Sequence, residues 1–270
     1  MERVTRLSVS RLNMYFRCGM QFYYLVVKDK PMPPGWALVV GGSVHEASHG
    51  NLKHKLAFQE FMPLDQVETA ARDALAQRWD KEGVRLESEE HKKMGEKAAR
   101  AEAIETSVRL VRLHYRELAP TLRPTRVEHK WWLDVAGTDC TLTGIIDVQE
   151  ALASLRELKT SKRSPTQADA DDSLQLSLYA LAIWKLDGAL PERVWIDSLV
   201  HTKQEKLVQL QSARRPEDFG HLTNRIAAAF DAINKGVFVP APVDAWCCSE
   251  RFCGWWGMCP YARRPMSVSV

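Results

Sequence analysis

The sequence predicts an α/β chain, on three observations. Runs of β-branched and apolar residues with period-two alternation begin at Thr125, recur over 140–148 and again around Leu155 and Leu158. Apolar stripes at helical spacing occupy 65–81, 104–118, 173–186 and a last segment from Glu217. Two more strand-like runs, 194–201 and 206–210, separate the last two helices.

Composition bounds what such a chain can be. With 270 residues, 45% of them hydrophobic, it can bury a sizeable core and suits one enlarged domain, 1–270, carrying a helical insert at 60–120. No run of about 18 apolar residues occurs, so no membrane span is expected. The start, Met1-Glu-Arg-Val-Thr-Arg-Leu, lacks a secretory apolar region, and the expected location is cytoplasmic. A net charge of +3 does not by itself argue for nucleic acid, so any surface for it is local. There is no Gly-rich Walker-type loop and hence no sign of an ATP motor. Six cysteines in a cytosolic chain point to a metal or cluster before disulfides.

In chain order, Ser8 or Ser10 can cap a first helix holding Leu12, Tyr15 and Phe16 and continuing towards Phe22 and Tyr23, with Cys18 in its middle. Prolines at 31–34 mark a loop. Gly41-Gly42-Ser43 then precedes a helical stretch with Val44 and His45, while His49 and His54 read as solvated. Val67, Ala71, Leu75 and Trp79 share a stripe that Asp65 and Glu68 can open as a capping box. The segment 82–100 is dense in both charge signs and reads as a solvated helix face or connection. Ile104, Val108, Val111, Tyr115 and Leu118 form the next stripe, ended by Pro120. These helices make the insert and a candidate wall of a substrate channel. Val127, His129, Trp131 and Leu133 alternate along a strand, residues 136–139 turn, and Cys140 opens the next strand as a structural thiol.

The stretch that carries chemistry follows. Gly144-Ile-Ile-Asp147 and Glu157-Leu158-Lys159, joined by a turn at 150–154, read as a β-hairpin. Alternation puts Glu157 and Lys159 on one face and Leu158 in the core. Gln175 and Tyr179, four apart, share a helix face that can look back at the same place. Two carboxylates and an ammonium suit metal-assisted hydrolysis, because hard oxygen ligands hold Mg²⁺ or Mn²⁺ and a lysine can hold a water and meet developing negative charge. In the basic loop 160–165, Lys162 and Arg163 are candidates for a phosphate backbone. The segment 240–262 contains Trp246-Cys247-Cys248, Cys253, Trp255, Trp256 and Cys259-Pro260. Cys248, Cys253 and Cys259 offer three thiolates and Cys18 a distant fourth, a set that matches a 4Fe-4S cluster or structural zinc. The paired Cys-x-x-Cys arms common in zinc knuckles are missing from it.

The order Gly-x-x-Asp147, Glu157-x-Lys159, Gln175-x-x-x-Tyr179 resembles the PD-(D/E)XK nuclease superfamily, in particular its RecB-like exonuclease branch. One cysteine near the N-terminus and three at the C-terminus, with Pro260 after the last, resemble the iron-sulfur nucleases related to AddB and the CRISPR-associated RecB-like exonucleases. The resemblance implies a restriction-endonuclease-like mixed central sheet flanked by helices. It implies that His45, Asp147, Glu157 and the Leu158 carbonyl bind Mg²⁺ or Mn²⁺, that Lys159 positions the attacking water, and that Gln175 and Tyr179 orient Lys159 or hold the scissile strand. Glu128 is a further acid of the same neighbourhood by that similarity. The cysteine set then reads as a structural 4Fe-4S cluster in preference to Zn²⁺, tying the chain's ends together, with Cys248 favoured over Cys247. The implied substrate is DNA, single-stranded or with free ends, in recombination, repair or phage or CRISPR DNA processing; the implied partners are a helicase, an annealing protein or a CRISPR integrase. Glutamate at 157 replaces the family's commoner aspartate and keeps the charge. Trp131, Trp132, Trp255 and Trp256 are candidates for base stacking, against packing as the commoner use of large aromatics. Two other classes stay open: a non-catalytic DNA-binding or adaptor protein on this fold, and a zinc-stabilised interaction module.

Overall fold

The computed structural model describes residues 3–151 and 154–262. In chain order the elements are β1 (Arg6–Ser8), α1 (Val9–Arg17), α2 (Gly19–Phe22) continued by a π-helical turn (Tyr23–Val27), α3 (Trp36–Phe58), α4 (Leu64–Glu82), α5 (Glu89–Met94) and α6 (Glu96–Leu113). A π-turn (His114–Leu118) and a 3-10 turn (Ala119–Thr121) extend α6. There follow β2 (Pro124–Asp134), β3 (Thr141–Glu150), β4 (Leu155–Ser161), α7 (Gln167–Asp171), α8 (Leu174–Asp187), β5 (Val194–Val200), β6 (Lys206–Ser212) and α9 (Asp218–Asn234). No helix among the described residues is long and apolar enough to cross a membrane. The chain divides into two compact units, one of residues 1–32, 134–142 and 223–270, the other of 33–133 and 143–222.

In the larger unit the sheet is mixed. β3 pairs antiparallel with β4 at Val148↔Arg156, β4 runs parallel to β5 from Leu155↔Val194 to Ser161↔Val200, and β6 returns antiparallel to β5; β2 pairs with β3. A parallel pair needs a crossover, and α7 with α8 supplies it. Alternation along β4 then sorts the side chains. Leu158 joins Val148 and Leu199 in a core filled by Trp36, Val44, Leu75 and Leu110 from α3, α4 and α6. Glu157 and Lys159 point the other way and meet Gln175 of α8. The fold is α/β, a mixed central sheet flanked by helices, as the sequence predicts. The hairpin turn is closed by Glu150 N–H donating to the Ser154 carbonyl, 2.9 Å; Leu152 and Ala153 within it lie outside the described residues.

Several local expectations are corrected. α3 does not begin after the glycine pair but at Trp36, and Gly41 and Gly42 lie inside it. At Gly41 an added Cβ would stand 2.9 Å from Thr160 Oγ1, whereas at Gly42 it would meet the Arg78 guanidinium at 2.9 Å, the movable end of a long side chain. α4 has Pro63 at its N-cap and no capping box. Glu68 turns instead to Arg112, which gripping it through Nε and Nη2 at 2.5 and 2.9 Å makes the stronger charge-assisted partner. The segment 82–100 is not merely solvated: His91 is buried with its ring 4.6 Å from that of Trp36, and Trp36 N–H donates to the Arg85 carbonyl at 3.2 Å.

In the smaller unit, Ser8 caps α1 by accepting the Arg11 N–H. Cys18 does not sit mid-helix. It adopts an extended conformation between α1 and α2 (φ −163°, ψ 108°) and ends the first helix. Cys140 stands one residue before β3, buried, with Sγ 3.8 Å from the Val4 carbonyl. Thr141 N–H donates to Thr5 O at 2.8 Å, which ties the start of β3 to the residue before β1.

Trp131 is 1% exposed and lies against Gly144, where an added Cβ would come within 2.5 Å of its ring; its edge meets Tyr179 at 6.1 Å between ring centroids. Of its two candidate uses, the fold gives Trp131 packing. Gly144→Ala is therefore expected to cost about 1–3 kcal/mol by overpacking. Gly50→Ala, inside α3 with nothing near its Cβ, is expected to stabilise by about 0.5–1 kcal/mol. Urea midpoints of the two variants against wild type check both signs.

Candidate functional site

Five elements of the larger unit converge on one cleft. α3 carries His45, His49 and Lys53 at four-residue intervals, which places them on one helix stripe. β2 supplies Glu128, β3 Asp147, β4 Glu157 and Lys159, and α8, capped by Ser173, supplies Gln175 and Tyr179. The cleft, about 760 Å³ and open, is lined among others by Gly41, His45, Arg78, Glu128, Lys159 and Thr160.

Asp147 sits just beyond the Val148–Arg156 pair, and its Oδ2 accepts the Leu158 N–H at 2.8 Å. Leu158 itself is buried on the core face. His45 Nδ1 stands 3.7 Å from Asp147 Oδ2, and His49 Nε2 stands 3.8 Å from Asp147 Oδ1. One donor atom from each of these three residues lies within 4.8 Å of the other two, a grouping able to hold one metal ion. Beside it Glu157 Oε1 accepts from Lys159 Nζ and from Gln175 Nε2 at 2.7 Å. Gln175 Oε1 accepts from the same ammonium at 2.9 Å, and Gln175 Nε2 donates to Tyr179 Oη at 2.6 Å. The Oε2 of Glu157 is buried with no hydrogen-bond partner among the described residues. A lone buried carboxylate oxygen next to a His/His/Asp grouping is a donor set that fits a divalent cation.

Electrostatics follow from burial and from these neighbours. Burial pushes the Glu157 carboxyl up to about 7, with Lys159 pulling it down and Asp147 pushing it further up. Burial would also raise Asp147, but the imidazoles of His45 and His49 and the Leu158 N–H outweigh it, and the net shift is downward. His49, ahead of Lys53, holds Glu128 down at about 2 against its partial burial. Burial lowers His114 to about 3, keeping it neutral in the vicinity of His49 and His45. Burial, then the Glu157 charge, raises the Tyr179 phenol, so it stays a neutral hydroxyl.

His49 corrects a sequence expectation: it is not solvated but 2% exposed. The one sequence signal that could have found it, and that the expectation of a solvated residue left unused, is its spacing of four residues from His45 on one helix. His54 lies partly exposed, with Nδ1 3.0 Å from the Glu60 carbonyl, outside the cluster. Lys162 places its ammonium 5.6 Å from the centre of the Trp36 ring, and Arg163 extends into solvent with Asp169 4.0 Å away. Trp132 is 54% exposed. In the smaller unit Trp255 is buried and donates its ring N–H to the Lys30 carbonyl at 3.0 Å, a packing role. There, Cys18, Cys247, Cys248, Cys253 and Cys259 line one cavity together with Tyr24. Burial raises the thiols of Cys247, Cys248 and Cys253.

The profile of the PD-(D/E)XK nuclease superfamily matches residues 6–260. The chain belongs to this superfamily. Membership implies a phosphodiester hydrolase that acts on DNA with divalent metal ions. Among solved structures, the chain is similar to a "Putative exonuclease" from Eubacterium rectale, at 12% identity and a TM-score of 0.57, over 90% of this chain and 87% of that one. It also aligns with SSO0001 at 12% identity and a TM-score of 0.45, over 98% and 90% of the two chains. At these identities the likeness to the first is one of fold. No curated protein matches the sequence.

The Glu157 shift has a consequence for the metal-free protein. A carboxyl whose pKa is higher folded than unfolded favours the native state while protonated, and that contribution is lost as pH rises from its ordinary value of 4.5 through about 7. With EDTA present, the urea midpoint is expected to fall across this window in wild type and to fall less in Glu157→Gln. Glu128, held at about 2, acts in the opposite sense and in a separate window, losing stability only as pH drops below its ordinary range.

Proposed function

We propose that the protein is a Mg²⁺- or Mn²⁺-dependent deoxyribonuclease of the RecB-like branch, an exonuclease acting on DNA ends or single strands, with a 4Fe-4S cluster held by Cys18, Cys248, Cys253 and Cys259. The observation that carries the catalytic reading is the hydrogen-bonded chain Lys159–Glu157–Gln175–Tyr179 standing beside Asp147. A structural salt bridge needs no second buried acid next door, and no lysine held at the lip of an open cleft.

His45, Asp147, Glu157 and the Leu158 carbonyl would hold the cation. Bound there, a divalent ion supplies Lewis-acid stabilisation of phosphate charge and a water of lowered pKa. The residues of the chain do the rest. Lys159 Nζ, fixed between Glu157 Oε1 and Gln175 Oε1, can hold the attacking water in line with the phosphorus and meet the charge that develops on the phosphate. Gln175 holds that ammonium through its amide oxygen and is itself fixed by its amide nitrogen donating to Tyr179, so rotation of Lys159 requires breaking its contacts with both Glu157 and Gln175. Lys162 and Arg163, in the loop after β4, would contact the DNA backbone.

Four thiolates are the donor set of a 4Fe-4S cluster. The apolar cavity lined by the cysteines supports one, because buried thiols with raised pKa values ionise readily only against a strongly bound cation. A helicase, an annealing protein or a CRISPR integrase would deliver the DNA.

Anaerobically purified protein is expected to degrade end-labelled single- or double-stranded DNA with Mn²⁺, and Lys159→Ala, matched for iron content, to lose at least about 100-fold of that rate. Equal absence of cleavage from both, with iron and DNA binding retained, would replace the enzyme with a DNA-binding protein on the same fold. The purified protein is also expected to be brown with absorbance around 400 nm, and Cys18→Ser to lose both colour and iron. A colourless protein containing zinc would sink the cluster.

A further inference from the structure

His49 takes no part in the mechanism above, yet it is more buried than Glu157, Tyr179 or Asp147. It is 2% exposed, and neither ring nitrogen makes a hydrogen bond of good geometry among the described residues. A buried imidazole in that condition is costly unless something occupies its free positions. The two neighbours of its nitrogens are both carboxylates. Nδ1 faces Glu128 Oε1 at 3.5 Å and Nε2 faces Asp147 Oδ1 at 3.8 Å. The other oxygen of Glu128 is held by Lys53. A neutral ring can give its one N–H to only one of these acids. With the proton on the Glu128 side, the Nε2 lone pair points at a carboxylate oxygen, acceptor against acceptor, a conflict that only a second proton or a cation at Nε2 removes.

The spacing shows what fits between them. Both imidazole–Asp147 separations, 3.7 Å from His45 and 3.8 Å from His49, exceed the 2.7–3.2 Å of an N–H···O bond. They fall between the ~3 Å of adjacent donors and the ~4.2 Å of opposite donors around one ion with bonds of ~2.1 Å. Glu128 stands where a carboxylate orients a metal-bound histidine through its second nitrogen. Its backbone is consistent with a built position: φ is +51°, a left-handed conformation that a non-glycine residue adopts at a cost.

We propose that His49 Nε2 is a second imidazole donor to the catalytic metal, that Glu128 is its positioning residue, and that the pair makes the site prefer Mn²⁺ over Mg²⁺. The inference rests on the nuclease site proposed above. The preference follows from donor chemistry. Both ions bind well through oxygen, but Mg²⁺ demands it and sheds water reluctantly, whereas Mn²⁺, a first-row transition ion, accepts imidazole nitrogen more readily than Mg²⁺ does, so each imidazole in the set shifts the balance from Mg²⁺ towards Mn²⁺.

Pulsed EPR of Mn²⁺ on the full-length, anaerobically purified protein counts imidazole nitrogens directly. Two are expected in wild type and one in His49→Gln. Titration of Mn²⁺ and of Mg²⁺, each alone and in competition, is expected to show the Mn²⁺/Mg²⁺ affinity ratio falling at least 10-fold in His49→Gln. Glu128→Gln is expected to weaken Mn²⁺ about 10- to 100-fold, the usual effect of losing an outer partner of a metal-bound histidine. A single nitrogen in wild type, with a ratio that His49→Gln leaves unchanged, would overturn the proposal; the wild-type count stands even if a variant folds poorly. The outcomes separate the two readings. Cleavage of DNA by a one-imidazole site would remove His49 and keep the nuclease, whereas a two-imidazole site that cleaves nothing would keep His49 and remove the nuclease.

Discussion

Asp147 and Glu157 are withdrawn from water on neighbouring strands of one hairpin, and like charges so placed cannot both ionise without a cation or a shared proton. The surroundings divide the task of neutralising them. Asp147 accepts a main-chain N–H from β4 and has two imidazoles of α3 standing 3.7 and 3.8 Å from its oxygens. Glu157 receives Lys159 and the Gln175 amide at one oxygen only. The pair is thus stabilised unequally, one carboxyl shifted down and the other up. Packing enforces the arrangement. Leu158, between Glu157 and Lys159, is anchored among Val44, Leu75 and Leu110, so strand alternation turns its two neighbours to the opposite face.

A second concentration of buried ionisable groups occupies the smaller unit. The break between α1 and α2 exists at Cys18 because that residue leaves the helical region of backbone space, which brings its sulfur within 3.4 Å of the Ala241 N–H. Gln21, on the short helix that follows, donates to the Cys247 carbonyl at 3.1 Å. The N-terminal and C-terminal stretches of this unit are therefore joined by polar contacts at one thiol and at the main chain of a second cysteine, around a cavity with little other polar lining.

The strands were legible because alternation is a local property. Trp131, Leu142, Ile146 and Leu158 are buried where a period-two reading puts them, while Leu155, on the opposite face of β4 from Leu158, is buried as well. Glu157, Lys159, Gln175 and Tyr179 also met as their spacing predicts. α3 was less legible, since it is buried on several sides and part of that burial is polar. Ser43 bonds the Val40 carbonyl and Ser107, and Asn51 accepts the Met62 N–H, so no clean apolar stripe marks the helix. The same mixture hid His49, since a histidine among polar neighbours reads as solvated when the acids that face it lie some 80 and 100 residues away in sequence. Cys18 was misplaced for a related reason: nothing local interrupts the helical pattern there, and the contact at its sulfur comes from residue 241.

His45, His49 and Lys53 occupy a single stripe of a helix uninterrupted from Trp36 to Phe58. Each added residue turns a helix by about 100°. One insertion or deletion between position 45 and position 53 would therefore swing part of the stripe away from Asp147 and Glu128, whereas a change of length in the proline-bearing segment before Trp36 leaves its phase untouched. Across diverging descendants of this chain, gaps should collect ahead of α3 and avoid its middle.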